Sequence, residues 1–205
     1  MADDQSTIVS GGFADPVHAA QRTFTTVMQA LARPGSIMAM PDLAAAAPEP
    51  VYPTTAALLL TLTDADSPVW FDQACDSDAM RGWIAFHTGA PVTDDHGAAM
   101  FAVISNPAKL PPLMMFALGS QEYPDRSTTL FVQVEGFGHG QRLHLEGPGI
   151  DGMGDLEIAG LPDEFAERLA ENATLYPRGV DLVLVSDTAI VGLPRTTRLQ
   201  RMETV

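Results

Sequence analysis

The stretch Tyr176–Leu199, YPRGVDLVLVSDTAIVGLPRTTRL, decides how this chain is to be read. It holds two short apolar runs, Val180–Val185 and Ala189–Leu193, separated by Ser186-Asp187-Thr188. Both have strand length and are rich in Val, Ile and Leu, and the polar break between them suits a tight turn. The first run is almost continuously apolar. That is the pattern of a strand covered on both faces, so it is placed near the middle of a sheet. Gly179 and Pro194 punctuate the pair. Arg178 stands before it and Arg195-Thr196-Thr197 directly after it. Donors gathered at a strand exit suit an anion or a carboxylate. The other reading is an arginine that caps loop carbonyls or pairs with one of the many acids, Asp181 being the candidate because it begins the neighbouring strand of the same pair.

Working outward, 205 residues fit one domain with a single core. Residues 1–12 read as a frayed tail with no apolar signal segment, and 13–205 as one domain. No run approaches the ~20 apolar residues of a membrane helix. Eleven basic residues face twenty-six acids, a formal charge of −15, and Lys109 is the sole lysine. A nucleic-acid or anionic-membrane surface needs clustered Lys and Arg, so both partners are excluded. The single cysteine, Cys75, rules out an internal disulfide and fits a reducing cytoplasm.

Upstream, Asp15 and Pro16 open a helix in which Val17, Ala20, Phe24, Val27, Met28 and Leu31 form one apolar stripe. His18, Gln21, Arg22 and Gln29 lie opposite, and His18 with Arg22 could share an anion or simply face solvent. Ser36–Met40 is a short edge strand, and Ala44–Pro50 reads as a loop. A helix beginning at Thr54 or Thr55 is apolar nearly all round, hence buried between layers. Val69–Phe71 is a strand. A helix capped by Asp76 or Ser77 runs towards Phe86, leaving His87 at its C-terminus beside the last carbonyls. Ala99–Ile104 is a strand. Thr128–Val134 and Gln141–Leu145 form a hairpin around Gly136–Gly140. Leu156–Ala159 is a short strand, and the helix starting at Pro162 turns Phe165, Leu169 and Ala173 inward. Interleaved helices and strands make the class α/β, a mixed sheet flanked by helices, at least partly parallel.

Several chemistries are weighed against these residues. Gly147-Pro-Gly149-Ile-Asp-Gly152 has dinucleotide spacing, but another strand-like run follows where a helix is required, and Pro148 removes an amide. There is no P-loop and no nucleophile elbow. His18, His87, His96, His139 and His144 are dispersed, and no third ligand joins His139 and His144, so no metal is assigned. Pyridoxal phosphate needs a lysine. Lys109 is placed in a proline-flanked loop away from the strand ends, and no cofactor is assigned.

Ordered along the chain are Gly12-Phe-Ala-Asp-Pro-Val, Gln21-Arg-Thr-Phe, Ala32-Arg-Pro-Gly35, Leu58–Asp66 with Pro68-Val-Trp, and Phe86-His-Thr-Gly-Ala-Pro91. Gly119–Ser127, Tyr176-Pro-Arg-Gly-Val-Asp181 and Pro194-Arg-Thr-Thr197 complete the set. In combination these resemble the H subunit of the bacterial carbon–phosphorus lyase complex, the PhnH family, from about residue 12 to 199. The resemblance implies a fold related to the large domain of pyridoxal-phosphate-dependent transferases, without the cofactor. It implies a homodimer and a core assembly with the G, I and J subunits. That assembly forms alpha-D-ribose 1-methylphosphonate 5-triphosphate from ATP and an alkylphosphonate. The I subunit carries the nucleosidase step and the J subunit breaks the carbon–phosphorus bond, leaving this subunit a supporting, non-catalytic role. Thr25 and Ala85 depart from the family pattern, which often has Arg there. The alternative is a small-molecule transferase using Arg195, Thr196, His87 and Asp181. The residues carried forward as ligand or interface candidates are Arg195, Thr196, Thr197, Arg178, Asp181, His87 and Arg22.

Overall fold

The computed structural model describes residues 10–41 and 45–201. Residues 1–9 of the expected tail, and Ala44 of the expected loop, lie outside the described residues. A six-stranded sheet runs in the order β1 (Met38–Ala39), β8 (Ala189–Leu193), β7 (Asp181–Val185), β4 (Thr129–Gln133), β3 (Phe101–Ile104), β2 (Val69–Phe71). β2, β3, β4 and β7 are mutually parallel, and β8 is antiparallel to both of its neighbours. As the apolar run predicts, β7 is central, with Leu182, Val183, Leu184 and Val185 fully buried.

Two apolar layers sandwich the sheet. On the first face lie α1 (Pro16–Ala32), α2 (Pro53–Leu62) and α3 (Asp78–His87), over Val69, Phe71, Val103, Phe131 and Val183. On the second lie the turns at 107–116 and α4 (Phe165–Thr174), over Ala102, Ile104, Leu130, Val132, Leu182 and Leu184. The helix starts follow local chemistry. Asp15 accepts from the His18 backbone N–H with Pro16 at the first turn, and Ser77 Oγ accepts from the Met80 N–H.

Three expectations are corrected. β4 is no hairpin partner of Gln141–Leu145: both its faces are buried, so it pairs with β3 and β7 in the main sheet. Gly136–Gly140 instead belongs to the long β5 (Gly136–Glu146), which pairs with β6 (Gly154–Ala159) and β9 (Arg198–Arg201) as a separate three-stranded sheet. The glycines serve a register shift between Phe137 and Gln141, where a Cβ on Gly140 would meet the Ile158 carbonyl at 2.5 Å.

Second, α1 buries only part of its apolar stripe: Val27 is buried and Ala20 and Leu31 are half-buried. Its buried residues are Ala19, Thr23, Val27 and Ala30, while Val17, Phe24 and Met28 are 75%, 50% and 50% exposed. The small side chains win the inner face because the helix must lie close over β8. Third, α4 buries Asn172, and Ala173 is half-buried. Asn172 clamps the entry to β7, donating Nδ2–H to the Val180 carbonyl and accepting the Val180 N–H on Oδ1, both at 2.9 Å.

Candidate functional site

Arg195 is the most heavily bonded side chain of the group that the sequence singles out. A guanidinium has five N–H donors, and all five are engaged. Nε donates to Asp181 Oδ1 at 3.1 Å, and Nη2 donates to Asp181 Oδ2 at 2.5 Å and to Ser127 Oγ at 2.7 Å. Nη1 donates to the carbonyls of Pro124 at 2.8 Å and Pro177 at 3.2 Å. The Arg195 backbone N–H adds a further bond to Asp181 Oδ1 at 2.8 Å. The pair is largely removed from water, with side chains 12% and 24% exposed. Such a pair holds only when its remaining donors are met, and here they are. Arg195 therefore ties the loops 124–127 and 177–181 to the end of β8.

The direction of β8 explains that position. It runs against its parallel neighbours, so its exit lies at their amino-terminal ends, where Thr129 pairs with Asp181. In open α/β sheets ligands sit at the opposite, carboxyl-terminal edge.

The remaining candidates are spread out. Thr197 is buried, its N–H bonded to the Pro194 carbonyl and its Oγ1 without a partner. Thr196 is half-buried beside Gly147. Arg178 is half-buried, and its Nε makes no hydrogen bond. His87, at the end of α3, packs its ring on Trp83 and Phe86 and places Nε2 3.2 Å from the Ser10 carbonyl. A carbonyl only accepts, so Nε2 carries the proton. Arg22 is exposed on α1, while His18 pairs with Asp15 at 2.8 Å instead of sharing an anion with Arg22. No hydrogen bond, ion pair or ring contact joins His87 to Arg195, Thr196 or Asp181 among the described residues. Nor does any group of three or more His, Cys, Asp or Glu there suit a metal ion.

The carboxyl-terminal edge holds what the sequence reading missed. Over β4, Gln133 Oε1 accepts from the Tyr52 N–H and Thr55 Oγ1, and Nε2 donates to the Pro50 carbonyl. The start of α2 thus covers that strand end. Past β2 and β3 the edge is open. From β2 the chain leaves through Asp72–Cys75 to α3 on the first face; from β3 it leaves through Ser105-Asn106 to 107–116 on the second. Adjacent parallel strands whose chains part in this way leave a crevice between them. A cavity of about 620 Å³ lies there, lined by Trp70, Asp72, Gln73, Asn106, Lys109 and Pro111.

Asp72 builds the walls of this crevice. Oδ1 accepts from the N–H groups of Ala74 and Cys75 and from Ser105 Oγ, and Oδ2 accepts from the Asn106 N–H at 2.9 Å. Lys109 is here corrected from its expected place: its loop returns it to the strand ends. The signal was an acid directly after one strand and Asn106-Pro107 after the next, both turn-forming residues. A second cavity, also about 620 Å³, is lined by Leu113 and Met114 and by the charged side chains of Glu164, Glu167, Arg168 and Glu171.

With the geometry in place, the comparisons identify the chain's relatives. A family model described as bacterial phosphonate metabolism protein (PhnH) matches residues 11–200. The alpha-D-ribose 1-methylphosphonate 5-triphosphate synthase subunit PhnH of Rhizobium meliloti (strain 1021) is 48% identical over 197 residues, covering 96% of this chain and 98% of that protein. A putative C-P lyase subunit protein, HtxG, of Stutzerimonas stutzeri is 39% identical over 82 residues, 40% of this chain and 42% of that one. The match spans the sheet, the helices over both its faces and the crevice alike, so the chain belongs to the PhnH family of bacterial phosphonate metabolism proteins.

Proposed function

We propose that the chain is a subunit of a carbon–phosphorus lyase core complex in phosphonate catabolism. There it supports formation of alpha-D-ribose 1-methylphosphonate 5-triphosphate from ATP and an alkylphosphonate, without supplying the bond-making groups itself. The observation that carries this is the end-to-end 48% identity with a protein named as a subunit of that synthase. Partners are the G, I and J subunits, and the compartment is the cytoplasm. The sheet is assigned to the arrangement of the large domain of pyridoxal-phosphate-dependent transferases, supported by its parallel strands with one antiparallel member. The transferase alternative has less support, because Arg195 and Asp181 are committed to each other and His87 bonds elsewhere.

The reading includes a homodimer when the subunit is purified alone, formed across the α1 stripe of Val17, Phe24 and Met28. At a formal charge of −15, copies repel, so a self-contact needs a face free of acids. α1 has none among its seventeen residues, and its stripe is exposed and apolar. The test of the subunit reading is co-expression of the tagged chain with the G, I and J subunits. A stable assembly, active only when this chain is present, is the expected result. A chain that purifies without them, or that alone converts ATP and methylphosphonate, overturns it.

A further inference from the structure

The crevice beyond β2 and β3 brings three properties together. It lies at the ligand-binding edge of a parallel sheet, between strands whose chains part to opposite faces. Its volume of about 620 Å³ is that of a small-molecule site. It also holds the one lysine of a chain with twenty-six acids, and that lysine makes no ion pair among the described residues. The side-chain amides of Gln73 and Asn106 are likewise unengaged by protein groups, and they line the same cavity. Asp72 is the acid in the wall, but its oxygens already accept four hydrogen bonds. It serves the loops.

The apolar wall is Trp70, with its ring held 4.4 Å from that of His96 and edge-on to Phe116 at 5.6 Å. A fixed aromatic wall facing ammonium and amide donors suits a ligand with an anionic head and a short apolar substituent. The other cavity sets three glutamates against one arginine, Arg168, so its net charge disfavours the same head. The chain's net negative charge opposes anions at long range, but beyond about 8 Å that field is screened at physiological salt. Contacts inside the crevice therefore decide binding.

We infer that this crevice binds a small organic phosphonate. Its tetrahedral oxyanion is taken by Lys109 Nζ with the Asn106 and Gln73 amides, and its carbon substituent lies against Trp70. The choice of phosphonate over another organic anion rests on the proposed function; the site itself rests on the geometry.

Trp70 is one of two tryptophans, and the other, Trp83, is fully buried, so intrinsic fluorescence reports on the crevice. The full chain is titrated with ethylphosphonate, propionate and inorganic phosphate by fluorescence and calorimetry. Saturable binding of ethylphosphonate is expected, with propionate and phosphate at least about tenfold weaker, a difference of about 1.4 kcal/mol. Lys109→Met should weaken ethylphosphonate about tenfold or more with an unchanged melting temperature, since Lys109 is exposed. Trp70→Phe should lose the fluorescence signal while calorimetry still detects binding. Absence of saturation, equal affinity for phosphate, or full affinity in Lys109→Met overturns the inference. A chain that assembles with the G, I and J subunits yet binds no phosphonate sinks this inference alone. One that binds ethylphosphonate but joins no assembly sinks the subunit reading instead.

Discussion

Gly192 of β8 lies directly beneath the Ala30 carbonyl of α1: a Cβ at Gly192 would stand 2.5 Å from that oxygen and 2.6 Å from its carbon. The missing side chain sets how closely the helix approaches the sheet. Ala30, fully buried, is small for the same reason. Gly192→Ala must push α1 outward, and overpacking of this kind costs about 1–3 kcal/mol. Calorimetry should show a melting temperature lower by about 2 °C or more. An unchanged melting temperature would show that the contact is not rigid.

Arg195→Ala leaves Asp181 a half-buried carboxylate without its cation. Breaking such a pair costs about 3 kcal/mol or more, or roughly 6–12 °C in a chain of this size. Arg195→Lys should rescue little, because an ammonium cannot replace a planar fork with five donors. Ethylphosphonate affinity should stay at the wild-type value, since Arg195 sits at the opposite edge of the sheet. A normal melt with lost affinity would return Arg195 to the ligand.

Asp72→Asn replaces one acceptor oxygen by an N–H₂ group. Whichever way the amide turns, an N–H donor of Ala74 and Cys75 or of Asn106 then faces another donor. Leaving a buried donor unmet costs about 1–3 kcal/mol. The expected result is both a lower melting temperature and weaker ethylphosphonate binding, as the two loops of the crevice loosen together.

Cys75 is buried, and burial first, then the neighbouring Asp72 charge, pushes its thiol well above the ordinary range. The folded chain therefore keeps this proton while the unfolded chain releases it near pH ~8.5. Stability linked to this group is fully present below that pH and falls as pH rises above it. Between pH 7.5 and 9.5 the wild type should lose about 1 kcal/mol more than Cys75→Ala, measured by guanidinium unfolding. The native thiol should also resist disulfide reagents that modify the unfolded chain.

Phe24→Glu places an acid on the exposed stripe of a helix that has none. If α1 forms the self-contact, light scattering should find the variant monomeric at concentrations where the wild type is a dimer, with an unchanged melt of the monomer fold. A dimeric variant would move the contact elsewhere.

The sheet was legible where apolar runs are continuous. Val180–Val185 announced a central strand because Asp181 is its one polar residue, and Asp181 was identified as the partner of Arg195 from its place at the start of the neighbouring strand. The face of α1 was not legible. Periodicity locates apolar residues, whereas close packing against Gly192 selects small ones, and Thr23 and Ala30 win over Phe24 and Met28. β4 was misassigned to a hairpin because a glycine-rich turn following a strand looks the same whether the next strand pairs with it or leaves for another sheet. The crevice escaped notice for a related reason. Lys109 and Trp70 are thirty-nine positions apart, and only the parting of the chains after β2 and β3 brings them to one cavity.

The pairing of β4 with β7 has a kinetic consequence. These strands lie side by side, Thr129 opposite Asp181, yet β5, β6 and α4 intervene between them in sequence. Joining them closes a loop of about fifty residues, whose entropy grows only as the logarithm of its length. The closure must nevertheless be met before the contacts reward it, and such long-range parallel pairing is slow. The Arg195 bonds to the Pro124 and Pro177 carbonyls span the same gap. They form only after the ends of the loop have met, so they act as a latch that slows unfolding and leaves the rate of folding almost untouched.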